Sequence, residues 1–192
     1  MKIILASGSP RRRELLSRTG FDFTVQVSNA DENVEEEVPE KLVEELAQRK
    51  AKAVFDLQKE DCLVIGADTI VVKDGKTLGK PKDKEEAVEM LLSISGRTHQ
   101  VYTGVALFML REGKCVAQKV FHECTEVEMT EMTEQEIRAY VKSGEPLDKA
   151  GAYGIQGKAA VFIRGIRGDY YNVVGLPVCR VYHEMQDMFG EK

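Results

Sequence analysis

The sequence predicts a mixed α/β fold, a twisted sheet with flanking helices, and three observations carry that reading. Short apolar runs of strand length are interspersed with longer segments whose apolar residues recur at helical spacing. Several of those longer segments begin at residues that cap helices or end at glycine. Strands and helices follow one another without the strict βαβ rhythm of a doubly wound parallel sheet. The 192 residues suit one domain over 1–192, with room for two lobes, and can bury a sizeable core.

Lys2–Leu5 reads as a buried strand entering a Ser-Gly-Ser-Pro turn. A helix follows from about Pro10, with Ser9 as N-cap and proline at the first helical position. Asn29–Glu37 is an acidic loop. Pro39 opens a second helix with apolar residues at Leu42, Val43, Leu46, Ala47, Ala53 and Val54. Its acids precede its bases, the order the helix dipole favours. Leu63–Val72 reads as a pair of strands broken at Gly66-Ala-Asp-Thr69, and Asp74-Gly75 as a hairpin turn. Asp83 and Glu86 resemble a capping box for a third helix with the face Val88, Leu91, Leu92 and Ser95, stopped by Gly96. Strands at about Gln100–Met109 and Val116–Met129 flank a turn at Glu112-Gly113. Thr133-x-x-Glu136 caps a fourth helix that ends before Gly144. A glycine-rich loop, short strands at Ala160–Ile166 and Asn172–Val178, and a C-terminal helix complete the prediction.

Apolar residues at 43% and charged residues at 31% are globular values. A net charge of -5 argues against nonspecific nucleic-acid binding, yet a basic pocket for a small phosphate ligand fits inside an acidic protein. No apolar run is long enough for a membrane span, and arginines follow the first apolar segment where a signal peptide would carry its cleavage site. The cysteines (62, 115, 124 and 179) form no CxxC pair, which disfavours structural zinc and a disulfide framework and makes the cytoplasm the expected location.

Five segments could carry chemistry. In Ser7-Gly8-Ser9-Pro10-Arg11-Arg12 a strand feeds a small-residue turn and a helix N-terminus, whose free N–H groups favour an anion. The arginines add forked donors suited to phosphate; a capped helix with solvated arginines is the plainer reading. Asp68 interrupts an apolar strand region, where a carboxylate must be paired, bound to metal, or satisfied by backbone at a bend. Asp31 and Glu32 belong to an acidic loop that would ordinarily be solvated surface. Hard cations such as Mg²⁺ need only one or two protein carboxylates plus phosphate oxygens, so Glu32 and Asp68 suffice if they converge. Lys50 and Lys80 are single basic residues, ordinary on a surface. The loop from Glu145 to Gly157 has glycines for tight turns and polar residues such as Gln156 that could line a site. His99, His122 and His183 lack metal-ligand spacing, and no Ser/His/Asp or Cys/His arrangement points to covalent catalysis.

Together these blocks resemble the Maf family. The resemblance is carried by Leu5-Ala-Ser-Gly-Ser-Pro-Arg-Arg12, Gly66-Ala-Asp-Thr69, Gly79-Lys-Pro81, Ser95-Gly-Arg97 with Tyr102-Thr-Gly104, Ser143 through Gly151 with Tyr153-Gly-Ile-Gln156, and Asn172-Val-Val-Gly-Leu-Pro177. Each block alone is weakly specific; their order across nearly the whole chain is highly specific. The resemblance implies two lobes flanking a cleft, similar to inosine triphosphate pyrophosphatases. It implies a divalent metal (Mg, Mn or Co) and cleavage of a nucleoside triphosphate between its α- and β-phosphates. Asp68 would accept a proton, or instead bind metal, with Ser7, Arg12, Glu32, Lys50 and Lys80 around triphosphate and metal. Arg11, Thr69 and Gln156 match the positions that set substrate choice and carry the residues of the branch acting on dTTP and UTP.

Three other functions stay open from sequence. A nucleotidyltransferase also uses a Ser/Gly turn with arginine and a strand-end Asp. A relative cutting methylated guanine nucleotides would carry other residues at 69 and 156. A nucleotide-binding regulator of cell division would act through partners. The reading favoured is a metal-dependent hydrolase of dTTP and UTP that binds neither nucleic acid nor membrane, with homodimer formation left open.

Overall fold

A computed structural model describes residues 1–190. Within them seven strands hydrogen-bond in the order β2-β1-β3-β5-β6-β7, with β4 paired to β3. They are β1 (Lys2–Leu5), β2 (Thr24–Val25), β3 (Cys62–Lys73), β4 (Lys76–Leu78), β5 (Thr98–Arg111), β6 (Lys114–Met129) and β7 (Ile163–Arg167). The pairs β1–β2 and β1–β3 are parallel, whereas β3–β4 and β6–β7 are antiparallel, so the sheet is mixed as expected. The helices are α1 (Pro10–Ser17), α2 (Pro39–Phe55), α3 (Lys84–Ile94), α4 (Glu134–Lys142), α5 (Tyr170–Val174) and α6 (Val178–Phe189). Among the described residues no helix is long and apolar enough to cross a membrane.

The chain clusters into two compact units. The first comprises Met1–Asp68, Thr103–Glu123 and Gly175 onward; the second comprises Thr69–Tyr102 and Cys124–Val174.

In the first unit, alternate residues of three strands build one apolar face: Ile4 and Ala6, Cys62 and Val64, then Ala106, Phe108 and Leu110. That even-numbered set is the period of two that a pleated strand imposes. Helix α2 covers it with Ala47, Ala51 and Val54. Two glycines let the helix backbone come unusually close. A Cβ on Gly66 would lie 2.4 Å from the Ala47 carbonyl oxygen, and one on Gly104 would lie 2.1 Å from that of Val43. Helix α6 joins the same unit through buried Val181 and Met185, and its Tyr182 stacks on Phe21.

In the second unit, α3 and α4 surround a core that includes Val88, Leu91, Ile94, Val127, Met129, Ile137 and Val141. The expected capping box at Thr133 and Glu136 is present, and Asp83 caps α3 by accepting the Glu86 N–H. His99, only 2% exposed, shares a hydrogen bond of 2.7 Å between its Nε2 and the Tyr153 hydroxyl, while its Nδ1 has no hydrogen-bond partner among the described residues. Burial first, and Lys73 second, pull its pKa from 6.5 down to about 4.

Four sequence expectations need correction. The region 63–72 is one continuous strand, because Gly66 serves helix packing and Asp68 finds a cationic partner without a bend. Leu92 is 46% exposed; Ala87 and Ile94 complete the buried face of α3 instead. The segment 172–178 is not a strand. Asp169 accepts the Tyr171 N–H at 2.8 Å, the short helix α5 follows, and Gly175 at φ 128° redirects the chain. The 160–166 strand starts later, at Ile163, after a 3₁₀ turn over Lys158–Phe162.

Two outcomes follow from this packing. Gly104→Ala should lower stability by about 1–3 kcal/mol or more, since the new methyl meets helix backbone that cannot rotate away; chemical denaturation measures it, and an unchanged midpoint would refute the close approach. Lowering the pH from 6.5 toward 4 should also destabilise the protein through His99. There the unfolded chain binds a proton that the folded chain refuses, so that stability is present above the window and lost within it. His99→Gln should flatten this part of a melting-temperature–pH curve; an unaltered slope would exclude His99 as its source.

Candidate functional site

Strand β1 delivers Ser7 to the turn before α1. Ser7 Oγ accepts the Ser9 N–H at 3.2 Å and an Arg12 Nη1–H at 3.3 Å. Ser9 caps α1, accepting the Arg12 N–H at 3.5 Å. Arg12 Nε donates to the Gly175 carbonyl at 2.8 Å, which fixes the guanidinium from a second side. The first turn of α1 carries Arg11, Arg12 and Arg13 and no acid. Positive charge at the positive end of a helix is locally unfavourable, and an anion would relieve it. Burial holds the Arg12 guanidinium below its ordinary pKa; Asp68 opposes that shift, Arg11 adds to it and Glu32 opposes it.

Asp68 shares the face of β3 that α2 covers, two residues beyond Gly66. Lys50 of α2 meets it there, its Nζ 2.5 Å from Asp68 Oδ1 and 3.1 Å from Glu32 Oε1. Lys50 and Asp68 side chains are 14% and 15% exposed, whereas Glu32 is 64% exposed. Two carboxylates remote in sequence therefore point at one cation, and their oxygens lie no farther apart than the sum of those two distances. Such a pair of hard oxygens suits a hard divalent ion. Among the described residues no group of three or more His, Cys, Asp or Glu could hold a metal, so phosphate and water oxygens would have to complete the shell.

The first unit thus gathers Ser7, Arg12, Glu32, Lys50 and Asp68, with half-buried Arg11 beside Arg12 in sequence. Thr69, Lys80 and Gln156 belong to the second unit. There the Gly151 N–H donates to the Gly79 carbonyl at 3.0 Å, joining the segments that carry Gln156 and Lys80, both of which are exposed.

Sequence reasoning placed Glu145 at the start of the candidate loop but missed its role, which is to hold the Gln156 loop closed. Its carboxylate accepts the Tyr140 hydroxyl at 2.9 Å and the Lys158 N–H at 3.1 Å from each oxygen. Gly157 makes this approach feasible, because a Cβ there would sit 1.9 Å from Glu145 Oε1. Tyr153, anchored on His99, pins the middle of the same loop. Spacing gives no sign of these partnerships; they depend on how α4 meets the loop.

A model of the Maf-like protein family matches residues 2–188. A protein of Bacillus anthracis named dTTP/UTP pyrophosphatase is 52% identical over 186 residues, covering 96% of this chain and 94% of its own. One of the same name from Agathobacter rectalis is 46% identical and covers 97% of both chains. Among solved structures, a HAM1 protein from Coxiella burnetii matches 97% of this chain and 99% of its own with a TM-score of 0.50. Its 16% identity makes that a likeness of fold alone. On the family match and the two sequence relatives, this chain belongs to the Maf family.

Proposed function

We propose that this chain hydrolyses dTTP and UTP to the nucleoside monophosphate and pyrophosphate with the help of a divalent cation. The convergence of Asp68 and Glu32 on Lys50, beside Arg12 and the anion-favouring start of α1, is the observation that supports it most directly. The names of the sequence relatives supply the substrates.

Hydrolysis at an α-phosphorus needs neutralised charge, a water in line with the leaving group, and an acceptor for its proton. Ser7, the N–H groups of the turn and Arg12 offer donors to phosphate oxygens, and Lys50 would add cationic charge that steadies the departing pyrophosphate, a role that the family resemblance gives Lys80 as well. Glu32 and Asp68 would hold the cation, and the chemistry it would supply when bound is neutralisation of phosphate charge and activation of water. Asp68, a carboxylate with basic lone pairs, would serve as the proton acceptor or as a ligand of the cation. Arg11, Thr69 and Gln156 would read the base. A glutamine amide donates and accepts together, matching the adjoining carbonyl and N–H of uracil or thymine.

Asp68→Asn keeps the volume and removes both charge and basicity. It should cut pyrophosphate release by about 10²–10⁴-fold, in a protein that still folds but melts at a lower temperature because buried Lys50 loses a carboxylate partner. Near-normal turnover would remove Asp68 from the chemistry.

Substrate choice gives a separate test. dTTP and UTP should exceed CTP and purine triphosphates in kcat/KM, because a mismatched base leaves unpaired the polar groups that the bound base covers, at about 1–3 kcal/mol each. Gln156→Glu should lower dTTP and UTP turnover and leave folding intact. Equal rates across a nucleotide panel, or an indifferent mutant, would end the specificity assignment and leave pyrophosphate chemistry standing.

A further inference from the structure

Arg49 lies on α2 immediately before Lys50, and its guanidinium reaches the loop that carries Glu32. One nitrogen, Nη1, donates to the Asn33 carbonyl at 2.8 Å and to the Asp31 carbonyl at 3.4 Å. Nε and Nη2 donate to Glu45 Oε1 at 3.1 and 2.5 Å. Asp31 and Asn33 are the neighbours of Glu32 on either side. The segment 26–37 has no regular secondary structure, so nothing in a helix or ladder fixes the Glu32 backbone. An exposed carboxylate on such a loop loses conformational entropy whenever it is held to one ligand position.

We propose that Arg49 is a positioning residue for Glu32, fixing the backbone on both sides of it, with Glu45 setting the orientation of the guanidinium. The inference rests on reading Glu32 as a ligand of the divalent cation. Lys50 holds Glu32 by its carboxylate, and that hold ends if a cation takes the same oxygens. Arg49 holds the backbone, so its grip persists whatever the carboxylate binds. The arginine fork suits this task because it reaches two backbone carbonyls and one carboxylate at once, which a single ammonium does less well. Partners that orient a ligand in this way contribute to metal affinity without touching the metal.

The test is Mn²⁺ affinity, read by electron paramagnetic resonance on the full chain with α,β-imido UTP present, alongside the Mn²⁺ dependence of dTTP turnover. Arg49→Gln should weaken Mn²⁺ binding about 10-fold and leave kcat at saturating Mn²⁺ close to wild type. Backbone amide exchange over residues 31–33 should quicken. Arg49→Lys should restore part of the affinity, and Glu45→Gln should weaken it in the same direction, which covers the case where Arg49→Gln folds poorly. Glu32→Gln separates the two layers of the argument. If it leaves Mn²⁺ affinity unchanged, or wild type binds no Mn²⁺, the ligand reading falls and the role of Arg49 with it. If Glu32→Gln weakens Mn²⁺ but Arg49→Gln and Glu45→Gln do not, Glu32 remains a ligand and the positioning role is overturned. A lowered melting temperature with unaltered Mn²⁺ affinity in the Arg49 variants would likewise reduce Arg49 to a structural clasp.

Discussion

The seating of helix α2 directly on Gly66 and Gly104 is the constraint on which the first unit depends. With no Cβ on either strand residue, the helix backbone replaces side chains as the packing surface. That contact fixes the helix in height and in rotation. Ala47 and Ala51 are then committed to the sheet, and Lys50, one residue before Ala51, is carried to Asp68, two residues beyond Gly66 on the same face. The electrostatic centre is therefore a product of backbone packing rather than of long side chains searching for each other. Interiors packed to crystal density transmit such a constraint, because there is no slack for the helix to slide.

The charges at that centre follow from the position. Asp68 and Lys50 are both largely buried, and each would be costly without the other. Arg12 is drawn in from the opposite side of the sequence by the Gly175 carbonyl and Ser7, and its guanidinium feels both Asp68 and Glu32. The arginines of the first α1 turn oppose the helix dipole, and Lys50 occupies the point on which two carboxylates converge. In the proposed function, these are the two places that a bound complex of cation and phosphate would meet.

Legibility in the sequence varies with the range of the interaction that decides each feature. Caps at Ser9, Asp83 and Thr133 involve residues three apart and are readable, as are the turn at Asp74-Gly75 and the helix opened by Pro39. Asp68 is readable as a carboxylate in an apolar run, but Gly66 beside it suggests a break, since a glycine in a strand looks like a bend until the helix lying on it is known. The segment 172–178 has the β-branched and apolar residues of a strand, and the Asp169 cap together with Asn172, bonded to Val101 and Thr125, makes it a helix and turn. The charges of Glu45 and Arg49 look like ordinary surface at helical spacing. Their reach into the Glu32 loop depends on where that loop lies, and no local pattern encodes it.

The two units hold their candidate residues by different physical means. In the first, Asp68 and Lys50 sit on a long strand and a long helix, whose own hydrogen bonds fix the backbone before any side chain is placed. In the second, Gln156 sits on a chain of 3₁₀ turns, and its backbone is held by separate clasps: Glu145 on Lys158, Gly151 on Gly79, Tyr153 on His99. Charge handling for a triphosphate is common to every nucleotide, so rigid elements serve it well. The base reading proposed for Gln156 would demand fine placement of its amide, and a loop tied at a few points can change its composition between clasps without disturbing a core. The glycine next to Gln156 is part of the Glu145 clasp: replacing Gly157 would drive a methyl into the carboxylate that closes the loop. If Gln156 reads the base as proposed, its exposed side chain can be exchanged while the clasps of the loop around it, and the charge cluster on β3 and α2, stay unchanged.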